Sequence, residues 1–106
     1  MLNNVLLVGR LTENPEERTE SSKTVVTIVV AIQRGFKNSE GLFVTDFIKC
    51  TLWNSIAPNA VEYLKKGDIV GIKGRIQTES YKTNKGITKY NTEVLAEKIT
   101  FLSNKE

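Results

Sequence analysis

Residues 43–81 read FVTDFIKCTLWNSIAPNAVEYLKKGDIVGIKGRIQTESY, and three elements follow one another in them. Phe43 to Trp53 has a strand pattern, its buried set Ile48, Cys50 and Leu52 alternating with larger and polar residues. Asn54 or Ser55 can then cap a helix, with Pro58 in the first turn, where a missing N–H does no harm, and Gly67 at the end. Ile56, Ala60, Val61 and Leu64 share one side of that helix, and Lys65 and Lys66 suit the negative end of its dipole. Ile69 to Tyr81 returns to strand, with Val70, Ile72, Gly74 and Ile76 as the small or apolar set.

Working outward, Val5 to Val8 with Gly9 forms a first strand, ended by Asn14-Pro15. A solvated acidic loop carrying Glu13, Glu16, Glu17 and Glu20 follows. Thr24 to Ile32 is β-branched almost throughout, and Val26, Ile28, Val30 and Ile32 make one apolar face of a long second strand. Asn38-Ser39-Glu40-Gly41 turns it into the Phe43–Trp53 strand as a hairpin with an extended tip. Downstream, Thr83-Asn84-Lys85-Gly86 is a turn and Ile87 to Phe101 a last strand, whose apolar phase moves from Val94 and Ala96 to Ile99 and Phe101, the mark of a bulge. Three strands, one short helix between strands 3 and 4, and two more strands is the order of the oligonucleotide-binding barrel, an all-β, five-stranded, partly open Greek key. Gly9, Gly71 and Gly74 fit its sharp bends. Residues 1–106 make a single domain of this kind, with no repeat or linker.

Composition removes most other classes. The chain has no histidine and one cysteine, so it has no internal disulfide, no zinc site and no His-activated nucleophile. Cys50 falls on the inward parity and reads as core. The acidic loop lacks calcium-loop spacing, and no phosphate-binding glycine motif is present. We therefore expect no enzyme activity and no cofactor. The longest apolar run, Val25 to Ile32, is far shorter than the roughly 18 residues of a membrane span. Met1-Leu2-Asn3-Asn4 opens no secretory signal. The expected location is the cytoplasm.

The net charge of +3 is unevenly spread, with −1 over residues 1–33, +5 over 34–90 and −1 over 91–106. That basic middle admits a polyanion partner. Within it, the face of the third strand opposite Ile48, Cys50 and Leu52 presents Phe47, Lys49, Thr51 and Trp53, two large aromatics interleaved with a cation. On the fourth strand the wet positions include Lys73, Arg75, Gln77 and Tyr81. Rings that stack bases beside cations that meet phosphate are what single-strand binding requires. Burial of the same rings under a loop or in a subunit interface is the competing interpretation.

Several segments together resemble the bacterial single-stranded DNA-binding protein family. They are residues 1–11 with Asn14-Pro15-Glu16, Asp46 to Cys50 with Leu52-Trp53, Tyr63 to Gly67, Gly74 to Thr78, and Tyr90 to Val94. The resemblance covers nearly the whole chain and implies an oligonucleotide-binding barrel, usually a homotetramer. Its implied role is to coat single-stranded DNA in replication, recombination and repair without strong sequence preference. The family's stacking aromatics fall here on Phe36, Phe47, Trp53 and Tyr81, Phe36 by resemblance alone. Several members carry tryptophan at the first, second and fourth of these positions, so Phe36, Phe47 and Tyr81 offer smaller stacking surfaces. Lys49, Arg34, Lys37, Lys73 and Arg75 complete the candidate DNA-binding set.

The family typically continues into a flexible tail with an acidic tip that recruits replication proteins, whereas this sequence stops at Ser103-Asn104-Lys105-Glu106. A trimmed form, a short paralogue used in DNA uptake and a phage-encoded version all fit that ending, and tail-mediated partners are not carried over. Two other functions use the same barrel: a protein-interaction module of a primosome-like assembly, and RNA binding.

Overall fold

A computed structural model describes residues 1–102 apart from Ser21, Asn54 and Ser55. Its strands follow the β-branched and alternating runs: β1 Val5–Leu11, β2 Glu16–Glu20, β3 Lys23–Lys37, β4 Phe43–Trp53, β5 Ile69–Lys82 and β6 Thr88–Phe101, with the helix α1, Ala57–Tyr63, between β4 and β5. Five of the strands close on themselves. β1 pairs antiparallel with β5 along Val5–Arg10 and with β3 at Arg10 and Leu11. β3 pairs with β4, β4 runs parallel to β6 at Cys50–Val94 and Thr51–Leu95, and β6 returns to β5. This is the expected oligonucleotide-binding barrel.

The interior is the predicted apolar parity. Val26, Ile28 and Val30 of β3, Cys50 and Leu52 of β4 and Val70 and Ile72 of β5 are buried, and a fully buried aliphatic side chain contributes about 1.5–3 kcal/mol. α1 plugs one end through Ala57 and Ala60, with Leu64 just beyond it. Burial pushes the Cys50 thiol up to about 11, which keeps it neutral and unreactive near pH 7.

The structure corrects five local expectations. Glu16–Glu20 is a strand, not a solvated loop: every residue pairs with β3, from Glu16 opposite Thr27 to Glu20 opposite Lys23. α1 starts after Ile56, which caps it without a side-chain hydrogen bond, and the predicted caps Asn54 and Ser55 lie outside the described residues. The helix ends at Tyr63, because Leu64 is already extended, so Lys65 and Lys66 lie beyond its last turn. Val61 faces outward, and Ala57 takes its place in the core. Ile76, assigned to the interior, is 45% exposed, because β5 and β6 run on past the barrel as an arm and the inner face of the ladder emerges into solvent there.

The bulge falls where the phase shift placed it. Lys73 pairs with Lys98 and Gly74 with Ala96, leaving Glu97 as the extra residue. A second irregularity, on β3, sets Arg34, Gly35 and Phe36 against Val44 alone, since Gln33 pairs with Thr45 and Lys37 with Phe43. Both hairpin turns close as read. Asn38 Oδ1 accepts from the amides of Glu40 and Leu42, Thr83 Oγ1 accepts from those of Lys85 and Ile87, and Gly41 and Gly86 take positive φ.

Candidate nucleic-acid interface

Directly paired residues of a ladder share a face, so the register decides which candidates meet. On β4, Phe47 lies opposite Ala31 and Lys49 opposite Val29. Thr51 lies beside Leu95 of β6, Leu95 beside Arg75 of β5, Glu93 beside Gln77, and Lys89 beside Tyr81. Phe47, Lys49 and Trp53 therefore share one outward surface with Arg75, Gln77 and Tyr81, which the sequence could place only strand by strand.

Exposure along this surface is uneven. Phe47 is 66% exposed and Tyr81 54%, so each offers a ring face to solvent. Lys49 is exposed and forms no ion pair among the described residues. Trp53 is half-buried. Thr51, expected on the open face, is buried, because Glu93 lies over it and accepts its hydroxyl at 2.8 Å. Thr27, its neighbour on β3, is covered in the same way by Arg18, whose Nη1 donates to Thr27 Oγ1 at 2.7 Å. The open β4 face is thus two patches, Phe47 with Lys49 and Trp53 alone, divided by a threonine-centred polar seam.

The remaining candidates stand on the bulges and arms. Phe36, on the β3 irregularity, is 77% exposed. Beside it Arg34 clasps Asp46 through two hydrogen bonds, Nε to Oδ2 at 3.1 Å and Nη2 to Oδ1 at 2.9 Å. That hydrogen-bonded pairing raises the Arg34 pKa and lowers that of Asp46. Lys37 Nζ sits 5.6 Å from the Phe43 ring centroid, a cation–π distance. Lys73 and Arg75 share Glu97, at 3.7 and 3.4 Å. Three of the five candidate cations therefore already face a carboxylate. The signal for Glu97 was present in the sequence, since bulges re-aim side chains and the phase shift marked one there, but its partners were not legible.

The family model for the single-strand binding protein family matches residues 2–102. The chain belongs to that family. Similar members include single-stranded DNA-binding protein B of Bacillus subtilis (strain 168), 44% identical over 99% of this chain and 94% of its own length. Single-stranded DNA-binding protein 3 of Listeria innocua is 45% identical over the whole chain and 67% of its own length. The single-stranded DNA-binding protein of Halalkalibacterium halodurans is 48% identical over 96% of this chain but only 61% of its own length, so this chain matches part of that longer relative. No helix among the described residues is long and apolar enough to cross a membrane.

Proposed function

We infer that this single-strand binding family member binds and protects single-stranded DNA, without catalysis and without strong sequence preference, in replication, recombination and repair. The observation that carries the reading is the outward surface on which Phe47, Lys49 and Trp53 of β4 continue through the register into Arg75 and Tyr81 of β5. Rings on that surface stack bases and cations meet phosphate. Phe36, with Arg34 and Lys37 beside it, extends the path along the β3–β4 arm, and Lys73 extends it on β5. The whole of residues 1–106 acts as one such domain in the cytoplasm, at the nucleoid.

Titration of labelled oligo(dT) across a salt series tests the reading. Binding should weaken as salt rises, and Lys49→Ala should both weaken it and reduce the slope of log K against log salt by about 0.7, the share of one phosphate on a single strand. An affinity indifferent to salt would overturn the phosphate role and favour docking of a protein partner.

Glu97 acts in the opposite sense. It holds Lys73 and Arg75 away from phosphate, and exposed pairs of this kind are individually weak. Glu97→Gln should therefore tighten oligo(dT) binding by about twofold to fivefold in low salt. Unchanged or weaker binding would show that Lys73 and Arg75 take no part.

The assembly we assign is a homotetramer. Leu6 and Val8 of β1 are 71% and 62% exposed, and only Arg10 and Leu11 of that strand pair with β3, so the preceding edge is open to a second copy. Light scattering at micromolar concentration should give four times the 11.9 kDa chain mass; a mass of one chain would remove the assignment.

A further inference from the structure

The β1–β5 ladder ends with Val5 opposite Gly74, and among the described residues no strand lies on that edge of β5 further along. In the same register residue 3 stands opposite Ile76. Its side chain closes the rung. Asn3 Nδ2 donates to the Ile76 carbonyl oxygen at 2.8 Å, and Asn3 Oδ1 accepts from the Ile76 N–H at 2.9 Å. A primary amide carries both donor and acceptor, so it reproduces the reciprocal pair that a strand residue makes with the residue opposite.

The clamp falls at the root of the β5–β6 arm. Ile76 pairs on its other edge with Val94, and Val94 with Cys50 of β4, so one row crosses Cys50, Val94, Ile76 and the Asn3 amide. It is the outermost row that backbone pairing ties to β4. From Gln77 opposite Glu93 to Lys82 opposite Thr88 the arm is a two-stranded ribbon, and such a ribbon is marginal by itself. The Gly74 and Glu97 bulge lies just inside the root, where it adds twist. β4 therefore holds the β6 side of the root, and Asn3 holds the β5 side.

We propose that Asn3 is a positioning residue for DNA binding, whose amide fixes the root of the arm and so holds the Tyr81 ring on the shared outward surface without itself touching DNA. The proposal rests on the single-stranded DNA reading of that surface. Tyr81 stands five residues beyond Ile76, about 17 Å along a strand, so a tilt of about 15° at the root carries the ring about 4 Å. That displacement separates a ring from a base it had met. Asn3 is exposed, and an exposed hydrogen bond contributes little net stability because water replaces it. The clamp therefore sets the direction of the arm more than it holds the fold.

The test is a pair of double-mutant cycles on labelled oligo(dT), read by fluorescence anisotropy, with Asn3→Ala placed in the parent, in Tyr81→Ala and in Phe47→Ala. In the parent, Asn3→Ala should lose about threefold to tenfold, within the worth of one base stack. In Tyr81→Ala the same change should lose less than about twofold, since the two residues act through one contact, and in Phe47→Ala it should lose its full amount. Hydrogen exchange at the Ile76 amide should quicken, while the melting point and the light-scattering mass stay at the parent's values. If Asn3→Ala lowers the melting point, Asn3→Leu, close to asparagine in size, takes its place in both cycles. Parental affinity in the Asn3 variant overturns the proposal, as does an equal loss in the Tyr81→Ala and Phe47→Ala backgrounds or a loss that accompanies a smaller mass. In those cases binding by the parent leaves the wider reading standing. A parent that does not bind oligo(dT) overturns both.

Discussion

Replacing Gly74 with alanine should cost the barrel about 3 kcal/mol, the upper end of the range for overpacking a fitted interior. A Cβ at Gly74 would run into the Leu95 carbonyl oxygen and come within 3.0 Å of the Leu95 carbonyl carbon and 3.1 Å of Ala96 Cα. All three are backbone atoms, so no rotamer change relieves the clash. They also belong to the strand that joins the two halves of the barrel, since Leu95 pairs with Thr51 on one side and Arg75 on the other. Relief therefore means pulling β6 away from β5 beside the Glu97 bulge. For a domain of this size the loss should lower the melting point by about 12–24 °C at fixed protein concentration. Gly35→Ala is the control. Nothing lies within 4 Å of a Cβ there and its φ is not positive, so that variant should melt within a few degrees of the parent. Equal melting points for Gly74→Ala and Gly35→Ala would show that close approach is not what requires glycine at position 74.

Particular residues show where sequence reading works in this fold and where it stops. Val26, Ile28 and Val30 announce their strand because one face is buried, and burial imposes a period of two on the apolar residues. Glu16–Glu20 announces nothing, since both its faces are exposed and it is held to β3 by backbone pairing that any side chain permits. Parity put Thr51 on the outward face of β4, the face of its neighbours Lys49 and Trp53. Its burial comes from Glu93, 42 residues away in sequence, and such covering is invisible to alternation. The same limit applies to Arg34 and Asp46, and to Glu97 with Lys73 and Arg75. Charge counts locate the cations, but tertiary register decides which carboxylate each one meets. Ile76 failed for a related reason: alternation continues smoothly out of the barrel, while the core it should face does not.

Trp53→Ala should weaken oligo(dT) binding by roughly 1–3 kcal/mol per engaged site, the value of one base–aromatic stack. Trp53 is the only tryptophan, so quenching of selectively excited emission on adding oligo(dT) reports this ring or something touching it. The half-burial of Trp53 makes the stability control informative. A fully buried tryptophan would cost about 3–5 kcal/mol of fold on truncation; a half-buried ring should cost clearly less. Binding and stability losses should therefore separate, with the variant folded and cooperative at temperatures where its DNA affinity has already collapsed. Trp53→Phe sharpens the distinction. It keeps a π-face against a base but leaves part of the indole's volume unfilled, so binding should recover more fully than melting temperature. A Trp53→Ala variant that binds oligo(dT) like the parent would sink the stacking role, and so would an affinity loss that follows its unfolding curve. In that second case the indole is a strut that holds Lys23 at the start of β3 and Leu95 of β6 apart, and the contact with DNA belongs to the exposed rings of Phe47 and Tyr81.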